Sequence, residues 1–490
     1  MVKKIGDILG NRLLYICVLM LTLLFDTILL VHNYTGPLIK LFLLWGALVI
    51  AWDFFNGRKM WRTRPMIALM IFSALYMVTA VTAERVYLVS NIKTLAYMVL
   101  FFVILYGHDR NISPENWKKE IRTIMTTFVI TTAVLSAICM LTYVFQVNIE
   151  LLTVDGYMHF GMADNRLWGL YNPNIGGCIN YMSIVFSLGL LLTLENKKTY
   201  KSILLGFNMI LQYVCLLLTS SRTSMYTLLL CLGGIAFFVL SSKYEKFSIK
   251  SIKGFALNVI VCALIMGGIY GIGDPVKNVL AYVPMYVESD ISEKIMNYLA
   301  TSGADSVGEN TTNTESKEKV ELTRLEVLEN RDGGMLTGRL FLWKAGIKAW
   351  EKSPVFGISK NAIFDYAEEF VSEKQWRIAL EVSLHNGYLT LLVASGIVGA
   401  VVFMIFLIWN IIPMIRSAFI QTKSKDYLLY IICLAITFSF LLVEFFEARI
   451  LYRTEIFTAM FWIVCGFTYN YVEIVNNKKK ALENKEDIHE

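Results

Sequence analysis

Residues 387–409 read GYLTLLVASGIVGAVVFMIFLIW, a run without a single charged side chain. A hydrocarbon core about 30 Å thick needs about 20 mainly apolar residues, so this run is long enough to cross a bilayer as one helix. Working outward from it, eleven further apolar stretches appear, at approximately 13–31, 37–55, 65–83, 86–106, 122–145, 174–193, 202–219, 224–240, 254–273, 427–446 and 454–472. The composition agrees: 56% of the 490 residues are hydrophobic, 17% are charged, and the mean hydropathy is +0.55. Soluble proteins carry roughly a quarter charged residues, so this apolar surplus cannot be hidden in one water-soluble core. A cytosolic enzyme, a nucleic-acid binder and a disordered chain are excluded. The fold expected is an all-α polytopic membrane protein of about 12 transmembrane helices. All eight cysteines fall inside apolar stretches and read as small hydrophobes rather than a disulfide framework. No cleavable signal peptide is expected, because the first apolar run continues into the polytopic pattern.

Lysine and arginine are retained on the cytoplasmic side of short loops. One alternate set of loops, with the N-terminus and the KKK tail, holds 25 of them, whereas the short loops of the other set hold five: Arg85, Arg166, Arg222, Arg449 and Arg453. Both termini are therefore expected in the cytoplasm, and the five outer arginines ask what anion they meet. Two segments on the outer side break the hairpin rhythm, 146–173 and 274–386. The expected division is helices 1–9 over 1–273, a large extracytoplasmic loop between helices 9 and 10 over 274–386, helices 10–12 over 387–475, and a cytoplasmic tail over 476–490. Within the loop, 301–330 lacks aromatics, is rich in Ser, Thr, Asn and Glu, and reads as mobile. From 336 onward Leu340, Trp343, Ile347 and Trp350 recur at helical spacing, which predicts an amphipathic helix lying in the headgroup plane, ended by Ser353-Pro354 and Gly357.

His385 is the side chain best suited to exchange protons near neutral pH, and it stands where the large loop re-enters the bilayer. As a general base it would take the proton of a sugar hydroxyl; taken alone, a histidine in an S-L-H-N turn reads more readily as a capping or hydrogen-bonding residue than as a catalyst. Arg222 lies in TSSRTS, a polar break between the seventh and eighth spans, where a guanidinium suits a diphosphate leaving group. The competing reading is an arginine snorkelling at a hairpin turn. Arg339 begins the amphipathic helix. Arg166 precedes Asn172 and Asn174, which supply either amide donors at a membrane mouth or plain turn and cap chemistry around Pro173. Glu444, Glu447, Arg449 and Arg453 read most simply as a structural ion-pair cluster. No zinc-type Cys/His spacing, P-loop, G-x-S-x-G or Asp-x-Asp occurs, so no metal and no cofactor are expected.

In order, NPNIGG (172–177), TSSRTS (219–224), GRLFLWKAGIKAWEKSPVFGIS (338–359) and HNGYLTLLVASGIVG (385–399) resemble the O-antigen ligase and Wzy-type surface-polysaccharide polymerase superfamily. The motif order covers roughly residues 160 to 400. The resemblance implies a GT-C-like fold and a metal-independent glycosyltransferase of the bacterial cytoplasmic membrane, with its active site on the outer face. Its substrate would be an undecaprenyl-diphosphate-linked oligosaccharide, passed to the hydroxyl of a glycan acceptor. It further implies His385 as catalytic base and Arg222 and Arg339 as diphosphate holders. Arg166, Asn172, Asn174, Asn386 and Tyr388 are the further substrate-contact candidates. Partners would be the lipid-linked glycan, the acceptor and the bilayer, with room for a flippase and a chain-length regulator, and no nucleic acid. The reaction expected is polymerisation of repeat units of a surface or capsular polysaccharide; the alternative within the class is a ligase passing finished glycan to a lipid or wall acceptor. A lipid-linked oligosaccharide flippase is the reading from another class, against which stand the lack of an internal repeat and the large loop. A metal-dependent enzyme using Asp26 is the remaining alternative.

Overall fold

The computed structural model describes residues 2–28, 30–56, 63–107, 112–153, 156–194, 199–286, 334–370, 383–420 and 425–486, with Lys294 in addition. The expected mobile stretch 301–330 lies outside the described residues. The chain begins with α1 (Val2–Leu9), α2 (Arg12–Asp26), α3 (His32–Phe55), α4 (Arg64–Thr82) and α5 (Leu88–Leu100), which runs on into a π-helical stretch at Phe101–Tyr106. Next come α6 (Pro114–Val144) and three strands, β1 (Asn148–Thr153), β2 (Gly156–Ala163) and β3 (Arg166–Gly169). They are followed by α7 (Pro173–Leu192), α8 (Thr199–Thr219), α9 (Arg222–Lys243), α10 (Ile252–Gly271) and α11 (Gly273–Leu280). The last elements are α12 (Gly334–Trp350), α13 (Ile363–Glu368), α14 (Gly387–Phe419), α15 (Lys425–Val443) and α16 (Ile456–Glu486).

Every one of the twelve expected spans falls on a helix, but among the described residues 10 helical segments are long and apolar enough to cross a membrane. The two expected spans outside that set lie on α2 and α16. Helix α2 has only 15 residues, and α16 turns polar in its second half, NNKKKALENKE. The sheet is the other departure from expectation: 146–173 is not plain loop but an antiparallel β1-β2-β3 meander. Asp164 and Asn165 join β2 to β3 with φ of 49° and 56°, the two left-handed central residues of a type I′ hairpin turn.

The chain divides into two compact units. Unit 1 comprises Met1–Leu24, Tyr34–Ile124 and Gly334–Glu490. In it α4 lies along α14, and α15 along α16. Buried rings fill the middle: Phe102 meets Trp462 edge-on at 4.6 Å between centroids, and Phe72, Tyr106, Phe403 and Phe406 close around them. Aromatic pairs of this kind add about 0.5–1.5 kcal/mol each beyond the area they bury. Helix α14 is broken at Gly396, whose φ of 63° and ψ of −174° are open to glycine alone. The segment 354–359 repairs the break. Ile358 and Ser359 donate to the Val393 and Ala394 carbonyls at 3.0 and 3.1 Å, and Ile397 and Val398 donate to those of Pro354 and Val355 at 2.9 and 3.2 Å. Gly357, itself at φ 77°, permits the approach, since a Cβ there would fall 2.5 Å from the Ala394 carbonyl. A broken helix is tolerated at membrane depth only where other groups satisfy the freed backbone, and this loop does so.

Helix α12 forms where the spacing predicts it. Its packed face is Leu342, Ala345 and Ala349, whereas Leu340 and Ile347 of the predicted stripe are exposed. The small residues admit α14 closely; the larger ones remain for another environment.

Unit 2 comprises Phe25–Asn33 and Met125–Gly333. Helix α7 packs on α8 and α9, and its apolar core encloses a polar network. Ser136 donates to Gln212 at 2.9 Å, Asn208 to Ser187 at 2.8 Å and to Ser183 at 3.1 Å, and Gln212 to the Thr132 carbonyl at 3.1 Å. Satisfied amides in an apolar interior fix helix register, because any slip orphans several of them at once.

Candidate functional site

Helix α14 starts at the re-entry of the large loop. Asn386 is its N-cap, with a side-chain oxygen that accepts from Leu389 N at 2.9 Å, and His385 precedes it at φ 46°. The left-handed turn carries the imidazole toward the segment after α15. There His385 Nδ1 lies 3.3 Å from Glu447 Oε2. Glu447 Oε1 is 3.7 Å from the Arg339 guanidinium, and its Oε2 is 3.7 Å from that of Arg449. Arg339 also donates to the Phe446 carbonyl at 2.7 Å, and Arg449 and Arg453 share Glu455 at 3.1 and 3.5 Å. Tyr388 donates to the Leu441 carbonyl at 2.8 Å. The backbone N–H of Gly387 points at the carbonyls of Glu444 and Glu447, at 2.7 and 2.9 Å, which ties the start of α14 to the segment that carries the carboxylate.

Glu444 and Glu447 are three residues apart and behave in opposite ways. Burial pushes the Glu444 carboxyl up to about 8, against the pull of the Arg449 and Ile450 backbone N–H groups and of the two nearby arginines. For Glu447 burial acts in the same direction, but the hydrogen bond from His385 and the charges of Arg449, His385 and Arg339 outweigh it and bring the carboxyl down to about 2. An ionised carboxylate has no proton to donate, so His385 Nδ1 must be the donor in this contact. The neutral imidazole then carries its lone pair on Nε2, the tautomer required of a base. His385 is 25% exposed and Glu447 15%, so a substrate can reach the ring while the carboxylate stays enclosed.

The other predicted residues fall in unit 2. Arg166, on β3, donates to the Thr219 carbonyl at 2.9 Å and to the Asn174 side-chain oxygen at 3.2 Å. Asn172 caps α7, accepting from Asn174 N at 2.9 Å, with Pro173 in the first turn. The two asparagines thus serve cap and arginine support. Arg222 is exposed at the first position of α9, whose N-cap Ser221 makes no side-chain cap bond. It lines a cavity of about 120 Å³ with Ser220, Ser221, Tyr226, Asp274 and Lys277. A guanidinium at a helix start is anion-binding chemistry.

The structure therefore joins His385, Arg339, Asn386 and Tyr388 in unit 1, and Arg166, Asn172, Asn174 and Arg222 in unit 2. Glu447 is the residue that sequence reasoning placed in a purely structural cluster. Asp26 pairs with His32 at 3.2 Å, and no group of three His, Cys, Asp or Glu side chains that could hold a metal ion occurs among the described residues.

Residues 207–404 match the Wzy_C family model, described as O-antigen ligase. The match spans the TSSRTS, GRLFLWK and HNGYL motifs and stops short of NPNIGG on the N-terminal side. A comparison with curated proteins gives no match. The match covers less than half of the chain, and over residues 207–404 the protein is similar to the O-antigen ligase (Wzy_C) family, in keeping with the order of the motifs.

Proposed function

We propose that the protein is a glycosyltransferase that polymerises undecaprenyl-diphosphate-linked oligosaccharide units of a surface polysaccharide, on the outer face of the bacterial cytoplasmic membrane. The observation that carries the chemistry is the contact of His385 Nδ1 with Glu447 Oε2 at 3.3 Å, beside Arg339 and Arg449, whose charges favour the ionised carboxylate and so leave Nε2 to accept a proton. The acceptor hydroxyl oxygen attacks the anomeric carbon of the donor glycan and forms the new glycosidic bond. As it does so, the bond from that carbon to the carrier diphosphate breaks, the hydroxyl proton passes to His385 Nε2, and the diphosphate leaves with the electron pair. A positioned base of this kind contributes about 10²–10⁴-fold. Arg339 uses donors on Phe446 and Glu447 but has five N–H groups, so some remain for phosphate oxygens. In unit 2, Arg222 offers a guanidinium suited to diphosphate at its own cavity, with Arg166, Asn172 and Asn174 supporting that mouth. Asn386 and Tyr388 hold the start of α14 in place beneath the base.

Purified protein in nanodiscs, given undecaprenyl-diphosphate oligosaccharide, tests this reading. Lengthened glycan still on the carrier is the expected product. Glycan transferred only to a separate lipid or wall acceptor would make the enzyme a ligase, and flipping of the lipid-linked glycan without transfer to any acceptor would overturn the enzyme reading.

A further inference from the structure

The cavity beside Arg222 is lined by a second cation that the glycan-transfer chemistry leaves unused. Lys277 and Asp274 line it from α11, Arg222 and Tyr226 from α9, and Tyr270 from α10. Helices α8 and α9 are long and apolar enough to cross a membrane, and the short turn at Ser220 and Ser221 joins them. The cavity therefore stands at one membrane face, at the depth of phospholipid headgroups. Packing of α11 sets its charged wall. Gly273 lets the start of α11 approach α8, since a Cβ there would meet Leu217 Cδ2 at 3.2 Å. Tyr213 on α8 donates to the Ile269 carbonyl at 2.5 Å, and Tyr143 on α6 donates to the Leu280 carbonyl at 2.7 Å, so the chain is held on both sides of Lys277. Asp274 and Lys277, three residues apart, thus turn one helix face to the cavity. The Lys277 side chain is half-buried and makes no hydrogen bond or ion pair among the described residues. Ser220, on the same wall, stands at φ 50°, and strained non-glycine backbone gathers at ligand sites.

Size and charge limit the occupant. At about 120 Å³ the cavity is well below the roughly 300–1,000 Å³ of sites for drug-sized ligands, so it suits a compact anion and not a sugar chain. A guanidinium takes one phosphate by its fork, and an ammonium on another helix is a point charge for a second. A single phosphate needs only the first of them; a diphosphate engages both. The carboxylate of Asp274 opposes any anion beside it. We propose that Lys277 is a second cationic holder in this cavity, and that Arg222 and Lys277 together select a lipid-borne diphosphate over the single phosphate of a phospholipid headgroup, with Asp274 limiting the hold. The proposal rests on the glycan-transfer reading and adds to it a basis for choosing the carrier among the far more abundant phospholipids.

Binding to the full-length protein in phosphatidylcholine nanodiscs tests this and needs no turnover, so its failure and that of the glycan-transfer reading are seen separately. The probes share one tail: farnesyl diphosphate, farnesyl phosphate, and the methyl ester of farnesyl phosphate, a phosphodiester like that of a phospholipid. The wild type is expected to bind the diphosphate about tenfold or more tightly than either single phosphate, the margin of one charge-assisted hydrogen bond. Lys277→Met should lose most of that margin, whereas Lys277→Arg should keep it. Asp274→Asn should tighten the diphosphate by about threefold, a gain that damage to the fold does not produce. Equal binding of the three probes by the wild type would overturn the proposal, whatever the variants do. So would a margin that survives Lys277→Met, or diphosphate binding that is no tighter in Asp274→Asn. Inorganic diphosphate bound as tightly as the farnesyl form would make the cavity a site for free diphosphate and would overturn it as well.

Discussion

Both units carry arginines held by defined partners, and they equip them differently. In unit 1, Arg339 and Arg449 flank a carboxylate that also grips a histidine, so cation, anion and titratable ring are joined through one side chain, Glu447. In unit 2, Arg166 is steadied by neutral oxygens, the Thr219 carbonyl and the Asn174 amide, and Arg222 opens on a cavity at the uncapped start of α9. The first arrangement can fix a tautomer and accept a proton. The second can hold an anion, but among the described residues no imidazole lines its cavity. On this account proton transfer belongs to unit 1 and the cavity of unit 2 is an anion-binding place, and that division predicts a graded set of effects.

The largest loss is expected for His385→Ala, which removes the base. Transfer should fall by about 100-fold or more, with binding of the lipid carrier close to that of the wild type; wild-type turnover would take His385 out of the reaction. Next comes Glu447→Gln. The amide still reaches Nδ1 but no longer forces a proton onto it, and losing one charge-assisted hydrogen bond, roughly 1.5–3 kcal/mol, corresponds to about 10- to 100-fold in rate. Steady-state kinetics should put that loss in kcat. Arg222→Lys replaces a planar fork by a point charge, and the cost is expected to be about tenfold, the equivalent of one hydrogen bond, seen as weaker carrier binding rather than as slower chemistry. A loss confined to kcat would erase the contrast between the units.

The two glutamates give a smaller effect with a definite sign. Glu444 keeps its proton in the folded protein up to about pH 8, whereas an ordinary carboxyl releases it near 4.5, so the folded state binds the extra proton between those values. Stability should therefore decline as pH rises from about 5 to 8, and Glu444→Gln should flatten the melting curve over that range. Glu447 acts oppositely: its contribution is complete above about pH 4.5 and is lost as pH falls toward 2. The smallest effect expected is that of EDTA, which should leave transfer unchanged; inhibition reversed by a divalent metal would restore the Asp26 alternative.

The helices were legible because length and apolarity decide them locally. All twelve predicted spans fall on helices, and ten helical segments among the described residues are long and apolar enough to cross alone. The sheet at 148–169 was less legible, yet the turn between β2 and β3 carries Asp164-Asn165, residues that tolerate the left-handed backbone of a tight hairpin. His385 and Arg339 were visible as residue types in motif order. Their connection was not, because Glu447 lies 62 residues beyond His385 and 108 beyond Arg339, and an acid beside Arg449 is explained locally by an ion pair. The break at Gly396 was hidden for a similar reason: a glycine within an apolar run gives no sign that a distant Pro-Val-Phe-Gly segment will supply the missing hydrogen bonds.

The central claim is that ionised Glu447 sets His385 as a base, and the nitrogen shifts of that imidazole test it most directly. With 15N-labelled histidine in nanodisc-held protein, the His385 signals are isolated by subtracting the spectrum of His385→Ala. The account predicts, for the neutral ring, a protonated Nδ1 and a lone pair on Nε2, with the preference lost in Glu447→Gln. A neutral ring protonated on Nε2 in the wild type would contradict it.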